Sequence, residues 1–354
     1  MNEWRDNRKE ILKRFQDISV NKHLLLPRDM DFFRAKNVQL IKMNRKPDKI
    51  REPSKIELQT DGEAFEGWAI AIRRWLGDEE GDIDVRLCWE PPAKKKARNS
   101  HYQRFLYRVI RFSEMFDWFK VAQDCVDHVQ KASRVLNLDG TPKILKQPLF
   151  IQVPGSIKVV SPPKAISTRK LSEKQIELKF ESEPDLILDE IGWEGKMKRQ
   201  VPIGVFDGVI KSNTNDNDDT RVFPGVGARI DLVCFETRGR VALFELKKSH
   251  NDGKSITPKI GALSEILFYS HVIRDLNNDV AVFRYEEGAQ WEFLDALTSA
   301  KSVYGFILAY GIHPLLNDGK VFGLLNSSFG KTAKQFGFIQ YNEHFVCDQK
   351  WPKR

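Results

Sequence analysis

Two apolar runs joined by a tight polar turn constrain this chain more than any other feature of its 354 residues. RIDLVCFE (229–236) and VALFELK (241–247) flank Thr237-Arg238-Gly239-Arg240. A connection that short between two strand-like runs predicts an antiparallel hairpin. Both runs carry charge inside apolar sequence: Asp231 in the first, Glu245 and Lys247 in the second. Side chains alternate across a strand, so Glu245 and Lys247 share a face. The place of Asp231 depends on the turn. A two-residue loop at Arg238-Gly239 would set it opposite Leu246, whereas a three-residue loop Thr237-Arg238-Gly239 sets it opposite Glu245. Gly239 suits the left-handed residue that closes a three-residue loop, which favours the second register.

That register brings two carboxylates and one ammonium together. Opposed carboxylates repel each other unless a cation lies between them. Hard oxygen ligands without a neighbouring His or Cys point to Mg²⁺ or Mn²⁺ rather than zinc, and the backbone carbonyl of Leu246 is a candidate further ligand. Lys247, one side chain along, is placed to orient or deprotonate a water or to neutralise charge on a phosphate. In-line hydrolysis of a phosphodiester requires these parts. The ordinary alternative is a surface hairpin whose charges are solvated, and the apolar flanks of both runs weigh against it.

The order of helix with Glu, strand with Asp, strand with Glu-x-Lys and then helix resembles the PD-(D/E)XK nuclease superfamily, over residues 171–312. The resemblance implies a restriction-endonuclease-like fold, metal binding by Asp231 and Glu245, and a Lys247 that assists the attacking water. Gly-Ala-Arg-Ile precedes Asp231 where the family expects Pro. The family often adds a Glu from the preceding helix. Glu173, Glu177 and Glu181 are spaced by four and share a helical face, and mid-helix Glu177, beside Ile176, is the preferred candidate. Glu265 and Tyr269 lie one turn apart in the following helix, where the family places groups near the metal and the DNA backbone. Lys248 and His250 extend the second strand towards phosphate. Solvated surface remains the alternative for the Glu stripe, and core packing for Tyr269.

The remaining sequence divides by charge. Residues 1–170 hold 34 Lys+Arg and 23 Asp+Glu, and residues 171–354 hold 23 and 26. A basic half joined to a slightly acidic one suits a grip on a polyanion beside a site that gathers carboxylates. The Pro-, Ser- and Lys-rich stretch 153–170 marks the junction, giving a basic N-terminal domain over 1–160 and a nuclease-like domain over 161–354. The first reads as α-rich mixed α/β: helical spacing in 62–77 and 101–136, with the alternating strand DIDVRLCW between them. The second is α/β, a mixed sheet flanked by helices. Its first helix opens at the capping-box pair Ser172/Gln175 and ends near Pro184. SNTNDNDDT (212–220) reads as a polar loop, and IGALSEILFYSHVIRDL (260–276) as a buried helix.

The segment around residues 94–112 carries seven Lys+Arg and no acid. Arg104, Arg108 and Arg111 fall on one helical face, with Lys94, Lys95, Lys96 and Arg98 as a preceding arm. The expected partner is the phosphate backbone of DNA; a solvated helix with core aromatics is the alternative. Four scattered cysteines without a CxxC pair argue against a paired-cysteine zinc site and a disulfide framework. The polar start MNEWRDNRKE and the lack of a long apolar run give the expectation of a soluble, cytoplasmic protein without a membrane partner. P-loop, dinucleotide and serine-hydrolase motifs are absent from the sequence. The expectation is a Mg²⁺- or Mn²⁺-dependent deoxyribonuclease, a homodimer if it cuts both strands. A non-catalytic nucleic-acid-binding protein and an RNA-directed nuclease are the alternatives.

Overall fold

The computed structural model describes residues 4–43, 64–80, 82–90, 100–132, 149–152, 171–207, 220–223, 228–248, 260–277, 283–285, 290–328 and 335–351. The expected linker 153–170, most of the 212–220 loop, Lys94–Lys96, Arg98 and His250 lie outside these residues. The fold is mixed α/β, and the chain forms two compact units. One comprises 1–144, 259–264 and 313–330; the other comprises 145–258, 265–312 and 331–354. This differs from a single cut at residue 160, because two later segments return to the first unit. No helix among the described residues is long and apolar enough to cross a membrane.

In chain order the first unit contains β1 (Arg5–Asp6), α1 (Arg8–Ile18), β2 (Met30–Ala35), β3 (Val38–Met43), α2 (Phe65–Glu80), β4 (Asp84–Trp89), α3 (Ser100–Met115), β5 (Phe119–Val121) and α4 (Gln123–Ala132). The five strands form one sheet in the order β1-β2-β3-β4-β5. Pairing is antiparallel from β1 to β3 and parallel from β3 to β5. The expected strand is β4, with alternate residues Val85, Leu87 and Trp89 buried. The helical pattern over 101–136 is interrupted, because Phe119–Val121 pairs with β4 and ends the helical run after Met115. Phe65, Phe105, Phe112 and Phe119 make an aromatic core with edge-to-face and stacked contacts of 4.7–5.8 Å. The partners of α2 come partly from the returning segments. Trp75 Nε1 donates to the Leu315 carbonyl at 2.8 Å, Arg74 pairs with Asp318 at 2.9 Å, and Trp68 meets the His313 ring edge-on.

The second unit runs through β6 (Leu149–Ile151), α5 (Glu173–Ser182), α6 (Asp185–Ile191), β7 (Gly195–Pro202), β8 (Val205–Phe206), β9 (Arg221–Phe223), β10 (Arg229–Glu236), β11 (Arg240–Lys247), α7 (Gly261–Asn277, the residues up to Ser264 belonging to the first unit), β12 (Phe283–Tyr285), α8 (Leu294–Thr298) and β13 (Ser302–Ala309). The chain then makes a 3-10 turn (Pro314–Leu316) and α9 (Gly319–Ser327) in the first unit, and returns through β14 (Phe336–Tyr341) and β15 (Cys347–Trp351). The main sheet has the order β15-β14-β13-β11-β10-β7; β6, β8, β9 and β12 form a smaller sheet. β11 is central, antiparallel to β10 and parallel to β13. Leu232, Cys234, Ala242, Phe244 and Leu246 face a core built with Ile176, Phe180, Ile187 and Leu188 of α5 and α6. On the opposite face Gly305 lets α7 approach closely; an added Cβ would lie 2.8 Å from the Ile266 side chain. Strands covered on both faces become continuous apolar runs, which accounts for RIDLVCFE and VALFELK.

Candidate active site

The hairpin adopts the three-residue register. Leu232 pairs with Phe244 and Phe235 with Val241, so Asp231 falls opposite Glu245. Gly239 closes the turn at φ +79°, with its N–H donating to the Glu236 carbonyl at 3.1 Å. Asp231 Oδ2 accepts the Leu246 N–H at 2.8 Å, which ties the carboxylate to β11 beside Glu245. Tyr341 of β14 donates to the Lys247 carbonyl at 3.2 Å and fixes the end of β11.

Glu245 and Lys247 share a face, as strand alternation requires: Lys247 Nζ lies 2.5 Å from Glu245 Oε1 and 2.7 Å from Glu265 Oε2 on α7. Glu245 and Glu265 are both 3% exposed. The second oxygen of Glu245, Oε2, is buried with no hydrogen-bond donor among the described residues.

The three glutamates of α5 separate by role. Gln175 reaches back to the Ser172 N–H at 2.9 Å in the expected capping box and sets the start of the helix. Glu173 accepts the Lys248 N–H at 3.0 Å, and Glu181 pairs with Arg199 at 3.0 Å. Glu177 is buried, receives the Gln200 amide at 2.7 Å, and lies close enough to Asp231 for the two to repel. Glu177, Asp231, Glu245, Lys247 and Glu265 therefore form one cluster.

The electrostatics follow from burial. Desolvation, then repulsion from Asp231 and Glu265, pushes the Glu245 carboxyl well above the usual carboxylate range. Asp231 is pushed up to about 7, by burial first and by Glu177 and Glu265 among its neighbours, against the pull of Lys247 and the Leu246 N–H. Burial also raises Glu177, against the Gln200 amide. Burial alone would lower Lys247, but Glu245, Glu265 and Asp231 override it and hold the ammonium well above its ordinary value. Lys247 is thus held as an ammonium that donates to Glu245 and Glu265.

No group of three or more His, Cys, Asp or Glu side chains among the described residues forms a ready metal cluster. Oxygen donors are nonetheless gathered here, of the kind that could hold a hard divalent cation. Two carboxylates sit on facing strands, a third reaches them from α5, and one buried carboxylate oxygen lacks a donor. Carboxylates raised by burial and mutual repulsion are those whose charge a cation would restore.

The basic stripe of α3 is placed differently. Arg108, with a side chain 1% exposed, donates to Glu66 through Nε at 2.7 Å and Nη2 at 2.5 Å. Ser264 adds a third bond to Glu66 at 2.7 Å. Arg104 is buried, and Arg111 pairs with Glu114 at 2.6 Å. The stripe is therefore not a phosphate track: Arg104 and Arg108 lie in the core with Tyr102, Phe105, Tyr107 and Phe112. Tyr269 is buried against Phe268, and half-buried Lys248 offers its backbone N–H to Glu173.

Gln200 escaped the sequence reading. It lies opposite Asp231, at a step missing from the β7–β10 ladder between Ile230↔Val201 and Leu232↔Arg199. Its φ is +57°, a conformation uncommon outside glycine. Nothing in QVP signals it. Comparisons with protein-family models, curated proteins and solved structures find no match to this chain.

Proposed function

We propose that the second unit is a Mg²⁺- or Mn²⁺-dependent nuclease that hydrolyses phosphodiester bonds in DNA. One observation carries the reading: Asp231 and Glu245 face each other at the end of a buried hairpin, with the Lys247 ammonium beside them. A helix bearing Glu177, two antiparallel strands bearing Asp and Glu-x-Lys, and a helix bearing Glu265 support a restriction-endonuclease-like fold of the PD-(D/E)XK kind. Asp231, Glu245 and the Leu246 carbonyl would hold the cation, with Glu177 at its edge. When bound, such a cation polarises the phosphate and lowers the pKa of an attacking water. Lys247, held charged by three carboxylates, donates to the water or to a non-bridging phosphate oxygen and stabilises charge as it develops. Glu265 positions that ammonium. A cytoplasmic location and, for double-strand cutting, a symmetric dimer accompany the reading.

The test is cleavage of supercoiled, linear and single-stranded DNA with Mg²⁺, Mn²⁺ or EDTA, alongside Lys247→Ala and Asp231→Asn. Metal-dependent cutting lost in both variants is expected. Salt-sensitive binding without cutting would replace the reading with that of a nucleic-acid-binding protein. Preferential cutting of RNA would reassign the substrate.

A further inference from the structure

Cys88 and Cys125 are 37 residues apart in sequence, and their sulfurs are 3.7 Å apart in the first unit. Cys88 lies on β4 and Cys125 in the first turn of α4. The Cys125 sulfur is held in place, 3.3 Å from both the Trp89 N–H and the Trp89 carbonyl oxygen. Cys125 is buried, whereas Cys88 is the one cysteine of the four that is not. Cys234 and Cys347 lie buried in the second unit, each with a thiol that burial pushes up to about 12; the Cys125 thiol is raised as well, by its hydrogen bond to Cys88 first and by burial second. Cys88 behaves oppositely. The Cys125 S–H donates to it and, with Lys42 across the strand pair, outweighs burial and the nearby Asp124, so its thiol falls to about 7.

We infer that Cys88 and Cys125 form a reactive dithiol that a hydroperoxide converts into an intramolecular disulfide. The half-buried sulfur is the attacking group and the buried one the resolving group, in an arrangement typical of thiols that react selectively. The Cys88 thiolate attacks one peroxide oxygen, the O–O bond breaks, and the departing hydroxide takes up a proton as water, leaving a sulfenic acid. The Cys125 sulfur then attacks the Cys88 sulfur. The S–O bond breaks, and the released hydroxide leaves as water with the Cys125 proton. Two thiols and one hydroperoxide give one disulfide, one water and the alcohol or second water of the peroxide. Closing the gap to a bond of about 2 Å takes a change in side-chain torsions. The product ties β4 to the start of α4 and includes no residue of the carboxylate cluster.

The experiment treats the full-length native chain with hydrogen peroxide, then counts free thiols and measures intact mass. Loss of two of the four thiols, a mass decrease of two hydrogen atoms, a Cys88–Cys125 linked peptide and recovery with dithiothreitol are expected. Cys88→Ser should slow thiol loss by about tenfold or more. Cys125→Ser should leave a sulfenic acid at Cys88 that dimedone traps, which keeps the test decisive if one variant folds poorly. Retention of all four thiols under peroxide, or a disulfide through Cys234 or Cys347, would overturn the inference. So would unchanged reactivity in Cys88→Ser. DNA cleavage is not among the readouts, so failure here is separable from failure of the nuclease reading.

Discussion

Gln200 permits a prediction in which two substitutions differ by one physical effect. Its backbone holds φ +57°, and its amide donates to the buried Glu177 carboxylate at 2.7 Å. For a residue with a Cβ that backbone costs about 1–2 kcal/mol. A hydrogen bond to a charged group contributes about 1.5–3 kcal/mol. Gln200→Ala loses the bond and keeps the strain, so the unit should lose about 1.5–3 kcal/mol. Gln200→Gly loses the same bond and sheds the strain. The glycine variant should therefore be more stable than the alanine variant by about 1–2 kcal/mol. In an ordinary strand the order is reversed, with glycine worse by about 0.5–1 kcal/mol. Gln200→Asn, a residue that tolerates the left-handed region, should fall near glycine. Urea unfolding of the full chain, followed by tryptophan fluorescence, reads the difference. An alanine variant as stable as the glycine variant, or more so, would refute the claim that Gln200 is strained in order to serve Glu177.

Other expectations are independent of that one. Arg108→Met strands the Glu66 carboxylate in the core and should cost about 3–5 kcal/mol, whereas Arg108→Met combined with Glu66→Gln should cost much less; thermal denaturation distinguishes them. Asp231 takes up a proton more readily folded than unfolded, since its folded value is about 7 against 3.8. Its contribution to metal-free stability is therefore fully present below 3.8 and lost as pH rises through about 7. Unfolding midpoints in EDTA between pH 4 and 8 should show this slope, reduced in Asp231→Asn, and added Mg²⁺ should restore stability at pH 8. Glu177→Gln removes a charge that repels Asp231, so the metal-free protein should gain stability while Mn²⁺ affinity falls about tenfold, measured by calorimetry.

What the sequence disclosed followed from local chemistry. The hairpin register was legible because Gly239 supplies the one left-handed residue that a three-residue loop needs. The start of α5 was legible because Ser172 and Gln175 are capping neighbours. Glu177 could be chosen among three equally spaced glutamates by its apolar neighbour, although its contact with Gln200 could not. The arginine stripe of α3 shows the limit. Spacing fixes which residues share a face, but whether that face meets water or a core depends on Glu66, 42 residues away. β5 is three residues long, too short to interrupt a helical pattern visibly. The ion pair of Glu265 with Lys247 and the return of residues 313–330 to the first unit arise from tertiary packing that no local window contains.

That return governs the order in which the protein is finished. A ribosome completes residue 144 long before it reaches residue 330, by roughly 10–40 s at about 5–20 residues per second. Over that interval α2 has been synthesised without Leu315, Asp318 and His313, which later engage Trp75, Arg74 and Trp68. Trp75 has yet to meet its carbonyl acceptor and Trp68 the His313 ring, although Phe15 already stacks on Trp68, and Glu66 lacks the Ser264 hydroxyl. The half of the chain made first must wait in an incomplete state for segments made late. A translation product halted within residues 145–312 would present that unfinished surface to chaperones and proteases, and a fragment ending at residue 160 would carry it permanently.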